Sequence, residues 1–277
     1  MLYAFDHLDS FQRILKRRPL GLITDFDGTI SETAPAPEQA KVSRLCHDYL
    51  SILSEQLALV AAISGRPVRQ VREMIGVDGI LYIGNHGLER WREGEVELHT
   101  SSLDYRHIVE EVLSEMGSVL PKEGIIFENK GITATIHYRL APRPKQMEQK
   151  ILDIIKGSHS ARSLRVLRGK RSLSLIPMIN ADKGSASVDL VREYRLQGCI
   201  YFGDDYTDLD AFRAIHNLVA EWHFQGIAIV ITGPGTPEEI GTEADFTLKG
   251  VADVERFLRW MTEKLLQSGQ QHPREGT

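Results

Sequence analysis

Cysteine is nearly missing from this chain of 277 residues: only Cys46 and Cys199 occur, and neither sits in a paired metal-binding spacing. A disulfide framework and a structural zinc site have no support. Long apolar runs are lacking too. LALVAAI at 57–63 and IAIVI at 227–231 fall far short of the roughly 18 residues needed to span a bilayer, so no membrane partner is expected. There is no basic excess: 33 Lys and Arg against 38 Asp and Glu leave a net charge of −5. That argues against nucleic acid, whose partners carry cations to neutralise phosphates. The first residues, MLYAFDHLDS, lack the basic start and apolar stretch of a secretory leader, and a cytoplasmic location is expected. No internal repeat stands out. A hydrophobic share of 42% and a charged share of 26% are ordinary for a globular protein, and the length suits a large α/β domain with a second unit.

Short apolar runs alternate with helical periods. Residues 20–26 read as a strand. Val42, Leu45, Cys46, Tyr49, Leu50 and Leu53 recur at threes and fours as one helix face, and 57–63 is the next strand. Pro67 suits the first turn of a helix whose apolar side is Val68, Val71, Met74 and Ile75 and which Gly76 stops. A strand at 80–83 follows. Strand and helix in alternation imply parallel strands joined by crossovers. After a hairpin around Glu93 and Gly94 the pattern becomes helix, hairpin, helix, hairpin, which describes a compact sheet with helices on one face. Residues 99–177 are therefore expected to form an inserted α/β domain, and 1–98 with 178–277 the core. From Lys183 the first pattern returns, with strands at 199–202 and 227–231 and a closing helix carrying Val254, Phe257, Leu258, Met261 and Leu265. The end, GQQHPREGT, reads as a frayed tail.

Ligands of an open parallel sheet gather beyond the carboxyl ends of its strands. Asp25 and Asp27 end one strand, Ser64 and Gly65 another, Asn85 and His86 follow a third, and Asp204 and Asp205 end a fourth. All four clusters are expected on one rim. Acids gathered there repel one another unless a cation joins them, and a hard divalent ion, Mg²⁺ above all, suits oxygen ligands. Asp25 can then attack phosphorus, Asp27 can move a proton, the amides and hydroxyl around Ser64 and Gly65 can hold phosphate oxygens, and Lys183 can meet growing negative charge. The expected reaction is phosphate-ester hydrolysis. GPGTPEE at 233–239 lacks the third glycine of a dinucleotide loop and is set aside.

The motifs DFDGT at 25–29, SGR at 64–66, DKG at 182–184 and GDDYTD at 203–208 resemble, in order and position, those of the haloacid dehalogenase superfamily. Within it, GNHGLE at 84–89, FENKGITATIHYR at 127–139 and RGK before NADKG look like the trehalose-6-phosphate phosphatases. The resemblance covers nearly the whole chain. It implies a doubly wound parallel-sheet core with an α/β cap, Asp25 as nucleophile and Asp27 as general acid and base. It also implies Mg²⁺ held by Asp25, the Asp27 backbone carbonyl and Asp204, with Asp205 and Asp208 as supporting acids. Arg66, Asn85, His86, Glu89, Glu128, Lys130, His137 and Arg139 are implied near the sugar phosphate, and a monomer is expected.

One departure stands out. The family places a glutamate and then an arginine in the strand after its GK, whereas GKRSLSLIP puts Ser174 and Ile176 there. Another sugar phosphate, such as a glycosyl-3-phosphoglycerate, is the alternative substrate, with the basic run from Arg162 to Arg171 as landing site. A phosphosugar-binding protein without catalysis is the alternative of another class.

Overall fold

The computed structural model describes residues 1–270 except 33, 35, 36, 103, 170, 222 and 223; the expected tail lies outside them from 271 onward. The first stretch runs β1 (Leu2–Tyr3), α1 (Leu8–Ile14), β2 (Leu20–Thr24), α2 (Arg44–Gln56), β3 (Leu59–Ile63), α3 (Val68–Ile75), β4 (Leu81–Gly84), β5 (Glu89–Arg92) and β6 (Glu95–Leu98). Then come α4 (Tyr105–Val119), β7 (Ile126–Asn129), β8 (Ala134–His137), α5 (Pro144–Gly157), β9 (Leu164–Gly169) and β10 (Ser172–Pro177). The chain finishes with α6 (Lys183–Glu193), β11 (Gly198–Gly203), α7 (Asp208–Glu221), β12 (Gln225–Thr232), β13 (Phe246–Lys249) and α8 (Gly250–Gln270). Two compact units result, Met1–Val96 with Asp182–Thr277, and Glu97–Ala181.

The larger unit is built on a sheet of order β1-β13-β12-β11-β2-β3-β4-β5-β6. Strands β1 to β4 and β11 to β13 pair in parallel, and β5 turns back antiparallel on β4. From β2 the chain moves outward through β3 and β4, then returns to the other side of β2 at β11. The order thus reverses between β2 and β11, where a crevice opens at the strand ends of such sheets. The central strands β2, β3 and β11 are buried on both faces, which explains their nearly unbroken apolar runs. Leu22, Val60, Ile200, Phe202 and Ile229 pack with α1, α2, α3 and α8. Their neighbours Ile23, Ala61, Tyr201 and Val230 pack with α6 and α7 on the other side. The fold is a doubly wound α/β core with an inserted α/β unit, as the alternation of patterns implies.

Local chemistry sets the helix ends. Ser43 caps α2 by accepting the Cys46 N–H, so Val42 lies before the helix, and Leu45 is exposed instead of lying on its buried face. Pro67 stands one residue ahead of α3 at its cap, and Gly76 closes the helix in the left-handed region. β1, α1, α7 and β13 have no counterpart in the sequence reading. β1 is only two residues long, and α7 begins inside a motif read for its acids.

The smaller unit carries a four-stranded antiparallel sheet of order β7-β8-β10-β9. Val109, Val112 and Met116 of α4 and Ile151 and Ile155 of α5 cover Ala134, Ile136, Leu173 and Leu175 on one face. Alternation then places Glu128, Thr135, His137 and Ser174 on the opposite face.

Candidate active site

At the reversal of strand order, the Asp25 N–H donates to the Phe202 carbonyl of β11 at 2.8 Å, which ties the end of β2 to its neighbour. Lys183 opens α6 directly after a capping box formed by Asp182 and Ser185. That fixed helix start aims the lysine inward: its Nζ donates to Asp25 Oδ1 at 2.7 Å and to Asp208 Oδ1 at 2.8 Å. Asp208 Oδ1 also accepts the Tyr201 hydroxyl at 2.8 Å, while its Oδ2 accepts the amides of Asp204 and Asp205 at 3.0 and 3.1 Å. Four donors therefore saturate the Asp208 carboxylate. Asp205 in turn accepts the Tyr206 N–H.

Carboxylate oxygens of Asp25, Asp204 and Asp208 lie within 4.8 Å of one another, all buried. Burial pushes the Asp25 carboxyl up to about 7, against the pull of Lys183 and with the help of Asp208 and Asp27. Lys183 is raised above the ordinary lysine value, because Asp208 and Asp25 outweigh its own desolvation. Gly28, at φ +83°, is the turn that brings Asp204 close: a Cβ there would lie 1.9 Å from Asp204 Oδ2. A crowded, buried set of oxygen donors fits a hard divalent cation. With Asp208 saturated, Asp25 and Asp204 are the side chains that could hold it.

Asp27 faces a different partner. Arg66 Nε donates to its Oδ2 at 2.6 Å and Arg66 Nη2 to its Oδ1 at 2.7 Å, a two-pronged pair. Arg66 thus meets Asp27, where the sequence reading aimed it at the sugar. Ser64, at the end of β3, is buried, and its Oγ accepts the Arg66 N–H at 3.2 Å. A Cβ on Gly65 would lie 2.5 Å from the His86 ring, so glycine is needed for the imidazole to pack there. Asn85, His86 and Gly87 follow one another at φ 47°, 60° and 107°, a loop held in the left-handed region. Glu89 braces it: Oε1 accepts Asn85 Nδ2 at 2.7 Å, and Oε2 accepts the Val68 N–H at 2.7 Å, capping α3. The Glu89 carboxylate is engaged in the loop, where a sugar contact was expected.

In the smaller unit, Glu128 Oε2 pairs with His137 Nε2 at 2.9 Å and with Lys130 Nζ at 3.6 Å. Thr135 and Ser174 face each other across β8 and β10 with hydroxyls 3.0 Å apart. Arg139 lies two residues past β8, and Ile176 is fully buried. In the basic run, Arg165 donates to the Ala181 carbonyl and Arg168 pairs with Glu148. Lys170 lies outside the described residues.

Tyr201 was missed by sequence reasoning. In a strand reading it is one more core position, and no periodicity marks a phenol whose hydroxyl reaches an acid seven residues on.

Four adjacent strand ends thus carry Asp25 with Asp27, Ser64 with Gly65, Asn85 with His86, and Asp204 with Asp205. This fold and site define the phosphohydrolase-type core of the haloacid dehalogenase class. More particularly, the chain belongs to the trehalose-phosphatase family, whose sequence model, Trehalose-phosphatase, matches residues 23–250. A probable trehalose-phosphate phosphatase 3 of Oryza sativa subsp. japonica is 27% identical over 92% of this chain and 73% of its own length. A trehalose-phosphate phosphatase of Mycobacterium avium is 30% identical over 87% of this chain, which spans only 61% of that relative. Among solved structures, the C-terminal domain of the C. albicans trehalose-6-phosphate phosphatase superposes with a TM-score of 0.79 at 19% identity. It covers 93% of this chain and 97% of that one. A trehalose-6-phosphate phosphatase related protein gives 0.71 at 20% identity, covering 90% and 99%. At these identities the solved structures speak for the fold.

No helix among the described residues is long and apolar enough to cross a membrane.

Proposed function

We propose that this protein is a Mg²⁺-dependent phosphatase that hydrolyses trehalose 6-phosphate through an aspartyl-phosphate on Asp25. The observation that carries the reading is the buried Asp25–Lys183–Asp208 chain at the β2/β11 reversal, in a member of the trehalose-phosphatase family. Asp25, Asp204 and the Asp27 backbone carbonyl would hold the ion, which when bound neutralises both the acids and the incoming phosphate.

The chemistry of the chain's own residues follows. The phosphate group lodges against Ser64 and the amides at the start of α3. An Asp25 oxygen attacks phosphorus, the bond from phosphorus to the sugar oxygen breaks, and that oxygen takes a proton from Asp27. Asp27, now a carboxylate, accepts a proton from water as the water oxygen attacks phosphorus and Asp25 leaves. Lys183 meets the negative charge on the Asp25 side throughout. Asn85 and His86 sit at the same rim, and Glu128, Lys130, His137 and Arg139 are assigned to the sugar.

A glycosyl-3-phosphoglycerate is the weaker reading, because Arg165 and Arg168 already have partners within the protein. Release of inorganic phosphate from trehalose 6-phosphate and a panel of other sugar phosphates tests the assignment. The trehalose ester is expected to lead, and Asp25→Asn to lower its turnover by on the order of 10⁴-fold or more. Full activity in that variant would refute the covalent route, and tight ligand binding without turnover would favour a silent binding protein.

A further inference from the structure

The two acids of DFDGT each have their own cation: Lys183 for Asp25 and Arg66 for Asp27. Lysine at the first and arginine at the second are not interchangeable. A lysine offers a point charge that can sit between two acids, whereas a guanidinium fork fixes the plane of one carboxylate. The Arg66 fork takes both oxygens of Asp27.

Arg66 is itself held from several sides. Its N–H meets Ser64 Oγ, its carbonyl accepts the Asn85 N–H at 2.7 Å, and its guanidinium lies 5.4 Å from the centroid of the Phe26 ring. The arginine side chain is only 7% exposed, while the Asp27 side chain is 39% exposed. Here the cation stands behind and the carboxylate faces outward, at the rim where the ester must bind.

We propose that Arg66 is a positioning residue for proton transfer by Asp27. The inference rests on the phosphatase reading. With one lone pair of each Asp27 oxygen engaged by the fork, the other remains for a proton. As Asp27 gives its proton to the sugar oxygen it gains negative charge, and the fork meets that charge with two charge-assisted hydrogen bonds. The same fork then keeps the carboxylate aimed as water is deprotonated. Arg66 thereby strengthens its hold as the transition state is reached, the condition for raising kcat instead of only tightening binding.

A pair of esters separates this role from a structural or sugar-binding one. The sugar alkoxide of trehalose 6-phosphate needs a proton to leave; the p-nitrophenolate of p-nitrophenyl phosphate does not. The steps up to leaving-group release are read by kcat/KM. For Arg66→Gln we expect kcat/KM on the sugar ester to fall by roughly 10²-fold, the size of a lost general acid. The aryl ester should lose less than about tenfold, and KM for the sugar ester should stay within about threefold. In an Asp27→Ala background, Arg66→Gln should cost nothing further on the sugar ester, since a positioning residue has nothing left to position. Arg66→Lys, a second variant that keeps the charge but loses the fork, should show the same split between esters. Equal losses on the two esters, a rise in KM that accounts for the whole effect, or multiplying losses in the double variant would each overturn the proposal. A wild-type protein inert toward both esters would instead overturn the phosphatase reading, and this inference with it.

Discussion

In the larger unit, Asp25, Asp204, Asp208 and Lys183 are all buried, and each contact depends on another: Tyr201 and two amides hold Asp208, Asp208 holds Lys183, and Lys183 holds Asp25. In the smaller unit, Glu128 is a part-exposed partner of both His137 and Lys130, and Thr135 and Ser174 meet through neutral hydroxyls. Phosphoryl transfer tolerates one arrangement of charge, so its residues are fixed by a buried network. Recognition of a hydroxylated ligand can be spread over many weak contacts, so a residue such as Ser174 can stand where the family resemblance implies an acid. Under the proposed function, chemistry is thus overdetermined in one unit and specificity loosely determined in the other.

The strongest way to break this contrast is Lys183→Met. It leaves Asp25 and Asp208 facing each other without a cation, and kcat is expected to fall by about 10²- to 10³-fold. In metal-free protein the loss of one partner of a buried pair should also cost about 3–5 kcal/mol in urea unfolding. Activity and stability that both survive would show the network to be dispensable.

The raised Asp25 pKa gives a second test. Because the folded value, about 7, exceeds the 3.8 of an ordinary aspartate, its stabilising contribution is present below the unfolded pKa. That contribution is lost as pH rises through about 7. A divalent cation binds the ionised form and competes with the proton. Mg²⁺ should therefore raise Tm more at pH 8 than at pH 6, and calorimetry in two buffers at pH 6 should detect proton release on binding. Equal shifts and no proton release would contradict the assignment of Asp25 to the ion.

The smallest effect belongs to the smaller unit. Thr135→Val removes one hydroxyl, worth about 1 kcal/mol. KM for the sugar phosphate is expected to rise by roughly fivefold at most, with kcat within about twofold. A collapse of kcat would show that this face takes part in the chemistry and would erase the contrast.

Much of the larger unit was legible because its central strands are buried on both faces and end in short polar motifs. Asp25, Ser64, Asn85 and Asp204 could be placed on one rim from strand order alone. For Arg66 and Glu89 the sequence showed the strand end but not the partner within the protein, Asp27 for one and Asn85 with the Val68 N–H for the other. A motif shows where a side chain starts, and Asp27, 39 residues away in sequence, decides where Arg66 ends. Leu45 fits the spacing of a buried face yet is exposed, since periodicity gives direction without showing what covers it. Tyr201 gave no signal because a strand tyrosine reads as core until its hydroxyl's acceptor is known.

The most direct measurement is rapid acid quench of the wild-type protein with trehalose 6-phosphate and Mg²⁺, followed by peptide mass spectrometry. The account predicts a phosphoryl group on the peptide containing Asp25, at its carboxylate, and none on the Asp25→Asn protein. Steady hydrolysis with no phosphorylated protein at any quench time, or a phosphoryl group on another residue, would contradict it.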